Sequence, residues 1–176
     1  MSPRPVLPLR LEYVLLGLIR RDSTYGYELL HLCNDPHGIG LIWRVKPGPL
    51  YAALEKLEQH GYLTSALIPG DGSPIRKEYR ITPAGKQLFE GWMITPLKAA
   101  RDFRQDFLAK MYFAADFESE DLKDLIDQQK KQCLRWRTSL EQQLLSGNEF
   151  EKLVFTFRIR QIKFVMQWLA DLYPDN

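Results

Sequence analysis

Residues 46–83 read KPGPLYAALEKLEQHGYLTSALIPGDGSPIRKEYRITP, and this stretch decides the fold. Pro47 and Pro49 sit where a helix would open, because a proline's missing N–H costs nothing in a first turn. Leu50, Leu54 and Leu57, with Tyr51 beside them, then recur at helical spacing. Gly61 ends that helix as a left-handed cap. Leu63 to Pro69 and Glu78 to Ile81 read as two strands. The segment Gly70-Asp71-Gly72-Ser73-Pro74 between them is a turn signal, so the pair is a hairpin. Thr82-Pro83 joins an N-cap to an N1 proline and opens a further helix.

Two helices precede this stretch. From Leu9 to Arg20, the residues Leu11, Val14, Leu15, Leu18 and Ile19 make one buried face. Asp22-Ser23-Thr24 breaks that helix and offers N-caps for a second, from Tyr25 to Cys33-Asn34, with Leu29 and Leu32 inward. Residues 34–38 form a loop, and Leu41 to Val45 a short extended piece. Helix, helix, helix, hairpin, helix is the order of a winged helix-turn-helix domain. That order alone does not separate DNA binding from protein binding, since function resides in the site.

Beyond residue 90 the chain reads as long amphipathic helices. Leu122, Leu125, Ile126, Gln129, Cys133, Trp136, Leu140 and Leu144 repeat at three and four. So do Val154, Phe157, Ile162, Val165, Leu169 and Leu172, after a break at Ser146-Gly147-Asn148. Helices longer than 20 residues span about 30 Å, and a short turn folds them antiparallel. The expected fold class is therefore mainly α. Residues 1–90 form a winged helix-turn-helix domain, and residues 91–176 form a coiled-coil-like helical domain whose apolar stripe needs a cover.

Composition removes several classes. Of 176 residues, 24 are Lys or Arg and 22 Asp or Glu, a net +2 that is no polybasic coat. Residues 1–90 hold 11 basic and 9 acidic residues and residues 91–176 hold 13 of each, so the positive excess lies in the first half. Cys33 and Cys133 form no C-x-x-C pair, which argues against a disulfide framework or zinc knuckle and suits a reducing cytoplasm. The N-terminus lacks a signal-peptide stretch, and the run Val14 to Ile19 is far shorter than a membrane span. His31, Asp35 and His37 straddle a helix end without a fourth ligand, so no metal site is expected. Gly38-x-Gly40 lacks the third glycine and the βαβ unit of a dinucleotide site. Ser23 and Thr24 belong to no triad. No cofactor or enzymatic activity is implied.

Four strings carry a family resemblance. They are Tyr25-Gly26-Tyr27-Glu28-Leu29, Trp43 through Tyr51, Leu54 through Leu63, and Arg76 through Gly85. Their order and spacing resemble the PadR family of bacterial transcriptional regulators, over about residues 10–90. The part beginning at Asp106-Phe107-Leu108 is similar to the helical C-terminal domain of the longer PadR subfamily. The chain departs from the family at Lys46 and Pro49, where a hydroxyl residue is common, and at Ala52, where proline is common.

The resemblance implies a homodimeric, cytoplasmic repressor that binds double-stranded DNA at an inverted repeat. It implies release by a small hydrophobic or aromatic effector. Tyr51 opens the third helix and can pack its ring while its hydroxyl reaches a phosphate or base edge. Lys46 and Gly48 stand at the same N-terminus, where the helix dipole favours phosphate. Arg76 and Lys77 lie on the wing, within reach of phosphate or minor groove. Tyr25 and Tyr27 open the second helix, one packing and one on the backbone. Gly26 and Gly48 suit close backbone approach, and Tyr79 suits wing packing. Trp92, near the junction of the halves, is the effector-contact candidate. Trp136, Leu140, Phe157, Val165 and Leu169 are the candidate dimer interface, and Lys130, Lys131, Arg135 and Arg137 a solvated helix face. The rival reading is a winged-helix protein-interaction module without sequence-specific DNA binding.

Overall fold

The computed structural model describes residues 10–69, 75–114 and 119–172. The hairpin tip at 70–74 and Leu9 lie outside the described residues. The order of elements is α1 (Leu11–Ile19), β1 (Thr24–Tyr25), α2 (Gly26–Cys33), α3 (Pro47–Gln59), β2 (Leu63–Ile68), β3 (Arg76–Ile81), α4 (Pro83–Ile94), α5 (Asp106–Phe113), α6 (Ser119–Ser146) and α7 (Glu149–Leu172). Short 3-10 turns stand at Ile39–Leu41 and Ala100–Arg104. No described helix is long and apolar enough to cross a membrane.

The winged-helix order expected from the sequence is present, with a third strand added. β1 pairs with β3, so the antiparallel sheet runs β1-β3-β2, with Thr24 opposite Tyr79 and Leu63 opposite Ile81. Ser23 and Thr24 are therefore not the caps of α2. The cap is Tyr25, whose N–H donates to the Glu28 carboxylate at 3.1 Å, while the Thr24 hydroxyl donates to the same oxygen at 2.7 Å. Glu28 thus satisfies one of the orphan donors of the first turn. Its carboxyl is held below the usual range, first by the Thr24 hydroxyl and then by the Tyr25 N–H.

Two other expectations change. The extended piece expected from Leu41 to Val45 starts later, because Leu41 closes the 3-10 turn and Ile42 is still helical, and it pairs with no described strand. The Asn34 side chain clasps Val45 instead, donating to its carbonyl at 2.9 Å and accepting its N–H at 3.2 Å. This clasp satisfies the backbone that a strand partner would have satisfied. Leu32 points outward, 40% exposed, because α2 packs through Leu29 and Cys33. Two expected helix-end signals hold. Gly61 has φ +72°, a conformation that favours glycine. Thr82 caps α4 by accepting the Gly85 N–H at 3.1 Å.

The chain divides into two compact units. The first comprises the residues up to Met93 together with Leu108–Phe113. Its core is Leu15, Leu16, Leu29, Leu50, Leu54, Leu57, Phe89 and Phe113. The second comprises Ile94–Phe107 and the residues from Ala114 onward. There α6 and α7 pack on each other across Gly147-Asn148. A capping box starts α7: Glu151 N–H donates to Asn148 Oδ1 at 2.9 Å, and Asn148 N–H to the Glu151 carboxylate at 2.8 Å. Buried Gln129 accepts the Leu97 N–H at 2.6 Å in this unit. A single cut near residue 90 does not express the return of Leu108–Phe113 to the first unit. Phe113 there meets Phe89 edge-on at 5.3 Å.

Candidate nucleic-acid interface

Three elements of the winged helix bring the candidate residues together. α2 begins with Gly26 between two tyrosines whose rings stack at 5.8 Å. The Arg76 guanidinium of β3 lies over both rings, 5.9 Å from each centroid. Such stacking holds the guanidinium in place over the two rings. Tyr27 is 51% exposed and Tyr25 half-buried, so Tyr25 packs and Tyr27 is the accessible member.

Tyr51 joins this group from α3. Its ring lies so close to Gly26 that a Cβ there would stand 2.5 Å from Cε1. Gly26 is thus a close-approach glycine, as the sequence suggested. Gly48 is not one within the protein, since a Cβ at that position would meet nothing within 4 Å. Lys46, Gly48 and Tyr51 are all exposed at the α3 N-terminus, where Pro47 and Pro49 carry no N–H and the Leu50 N–H donates to the Lys46 carbonyl at 3.3 Å, which leaves Gly48 as the donor of that turn without a helix carbonyl. The chain enters α3 through the Asn34–Val45 clasp, and Lys56 anchors its far half by an ion pair with Glu12 of α1 at 2.7 Å.

Lys77 has a different setting. β3 begins at Arg76, not Glu78, so both cations sit in the ladder. The Lys77 ammonium is 2.7 Å from the Glu58 carboxylate of α3 and 5.3 Å from the centroid of the Tyr79 ring. The Glu58 hydrogen bond raises the pKa of Lys77, and Lys77 lowers that of Glu58. Lys77 is therefore a compensated cation in the protein alone. Sequence reading missed Glu58. The available signal was an acidic residue on the last turn of α3, followed by a lysine on the returning wing strand. Tyr79, 5% exposed, packs as expected.

Away from this surface, Trp92 is half-buried in an aromatic cluster of the first unit. It stacks on Tyr13 at 5.0 Å and lies 5.7 Å from Phe89. Buried Lys110 places its ammonium 5.2 Å from the Trp92 ring; the sequence reading did not single it out. In the second unit Trp136, Leu140 and Val165 are half-buried, and Phe157 is 61% exposed. Leu169 is wholly buried, so it belongs to the interior of the chain and not to a surface another copy could reach. Phe150, Leu153 and Phe164 are exposed on α7 and continue the Phe157 stripe at helical spacing. Both cysteines are free and buried, and burial pushes Cys33 up to about 12 and Cys133 to about 11.

Residues 15–91 match the family described as "Transcriptional regulator PadR-like family". The chain is 26% identical over 174 residues to the negative transcriptional regulator PadR of Bacillus subtilis (strain 168), covering 92% of this chain and 94% of that one. Among solved structures, B. subtilis PadR in complex with operator DNA aligns at TM-score 0.49 and 24% identity, covering 92% of this chain and 96% of that chain. The same protein with p-coumaric acid aligns at TM-score 0.45 and 24% identity, covering 92% and 95%. This chain is thus similar to the PadR-like family of transcriptional regulators over residues 15–91, and to one such regulator along most of its length.

Proposed function

We propose that this chain is a PadR-like transcriptional regulator, a cytoplasmic homodimeric repressor that binds an inverted-repeat operator in double-stranded DNA. The observation that carries the reading is the contiguous surface of Arg76, Tyr27 and Tyr51, gathered around half-buried Tyr25, beside the N-terminus of α3. α3 enters the major groove, Tyr51 and Lys46 meet phosphate or base edges, and the backbone at Gly48 approaches the duplex. Arg76 and Tyr27 grip the adjoining backbone. Repression is supported by the negative regulator that the chain resembles along almost its whole length.

Dimerisation uses the α7 stripe of Phe150, Leu153, Phe157 and Phe164, with Trp136, Leu140 and Val165 at its margin. An apolar stripe of this kind marks an interaction site. Two copies would set their recognition helices about 34–36 Å apart, one turn of B-DNA. A small aromatic or hydrophobic effector acting beside Trp92 would favour a dimer of another spacing, and could shift DNA affinity only by its differential affinity for the two forms.

Footprinting on the DNA upstream of its own gene tests this reading. Two protected half-sites related by a twofold axis, with centres about 10–10.5 base pairs apart or a multiple of that, are expected. A single asymmetric footprint would refute the inverted-repeat dimer. Absence of any footprint on duplexes selected from random sequence would favour the protein-interaction module.

A further inference from the structure

We propose that Glu58 is a positioning residue for the wing, and that by compensating Lys77 it removes this lysine from the phosphate contacts of the complex. The inference rests on the DNA-binding reading above and goes beyond it. One carboxylate spans three elements. Its Oε2 accepts from the Lys77 ammonium of β3 at 2.7 Å, and its Oε1 accepts the Ser65 hydroxyl of β2. The strand register explains the convergence. Ser65 lies opposite Tyr79, and Lys77 lies two residues from Tyr79 on the same face of the pleat. Side chains from both wing strands thus meet a residue on the last turn of α3.

The pair does little for folding, because both members are partly exposed, at 42% and 31%. Its effect is on charge. The cleft between α3 and the wing is lined by Tyr51, Glu55, Glu58, Gln59, Lys77 and Tyr79. Two carboxylates against one ammonium leave it net negative, so a phosphate is disfavoured there. Phosphates are directed instead to the α3 N-terminus and to Arg76. Glu58 therefore fixes where on α3 the DNA backbone lies, as well as the angle of the wing.

The test is a cycle read in salt dependence. The slope of log K against log salt changes by about 0.9 for each phosphate contact. Glu58→Gln keeps an oxygen to accept the Ser65 hydroxyl but releases the Lys77 charge. It should steepen the slope by about one unit, so that its affinity relative to wild type changes about 3.5-fold across a fourfold range of salt. The gain should extend to scrambled duplexes and lower discrimination. The double variant Glu58→Gln/Lys77→Gln should return to the wild-type slope. Ser65→Ala, which leaves the ion pair in place, should also keep that slope. An unchanged slope in Glu58→Gln, or a double-variant slope about one unit below wild type, overturns the proposal. So does a steeper slope in Ser65→Ala, which would assign the effect to a loosened wing. A wild-type chain with no salt-dependent duplex binding would instead sink the DNA-binding reading itself.

Discussion

Gly26→Ala isolates the placement of Tyr51 from the stability of the fold. The new Cβ would stand 2.5 Å from Tyr51 Cε1, 3.1 Å from its hydroxyl and 3.2 Å from Cζ. Ordinary carbon–carbon contact is about 3.5–4.0 Å, so the ring must retreat by about 1 Å. Tyr51 is 45% exposed and the atoms met belong to the far end of its side chain, so the ring yields and the backbone does not. Alanine at the start of α2 also restricts the unfolded chain, a gain of about 0.4–1 kcal/mol that offsets the lost ring contact. Folding stability should therefore stay within about 1 kcal/mol of wild type by urea unfolding. DNA affinity should fall, because a misplaced hydroxyl forfeits one hydrogen bond of about 1 kcal/mol, or more if the acceptor is charged. That is about five- to tenfold in Kd by fluorescence anisotropy. Tyr51→Phe should cause a similar loss, and the two changes together should cost little more than either alone, since they remove one interaction. If Gly26→Ala binds as wild type while Tyr51→Phe does not, the glycine does not place the ring. If it destabilises by more than about 3 kcal/mol, the ring is fixed and the backbone moves instead.

Four further outcomes follow from the same geometry. Gly48→Ala meets no protein atom, so it should hold or raise Tm while weakening DNA binding; unchanged affinity would remove Gly48 from the interface. Phe157→Asp should give monomers by analytical ultracentrifugation with little change in Tm, because the side chain is exposed, whereas Leu169→Asp should fail to fold; a persistent Phe157→Asp dimer would place the interface elsewhere. Glu28 has a depressed carboxyl, so its contribution is present above its ordinary pKa and is lost as pH falls through the lowered folded value. Tm should then drop in acid, below about pH 4, and Glu28→Gln should flatten that leg of the profile; parallel profiles would refute it. Cys33 and Cys133, raised by burial to about 12 and about 11, should resist iodoacetamide in the native protein and react after denaturation; rapid native labelling would contradict their burial.

The winged helix was legible because its signals are local. Prolines at 47 and 83, the glycine at 61 and the leucine spacing of α3 act within a few residues of themselves. What the sequence hid depends on distant pairing. Thr24 reads as a cap until Tyr79 arrives to pair with it. Val45 reads only as part of an extended piece, and its hydrogen bonds appear when Asn34 reaches it. Leu169 and Phe157 share one helical periodicity, and only the packing of the folded chain separates the interior residue from the exposed one. At the candidate site, Tyr51, Arg76 and Lys46 were named from their positions on the motif. The compensation of Lys77 joins residues 19 apart in sequence, so an acidic residue on α3 and a lysine on β3 become a pair only when the wing folds back on the helix. Lys110 was equally hidden, since nothing local marks a lysine that ends beneath an aromatic ring.

The most direct test of the central claim is binding of the purified chain to the DNA upstream of its own gene, measured across a salt series against a scrambled duplex. A DNA-binding regulator predicts tighter binding to the upstream duplex and a steep linear fall of log K with log salt. Equal affinity for both duplexes across the series, or binding to neither, would contradict it.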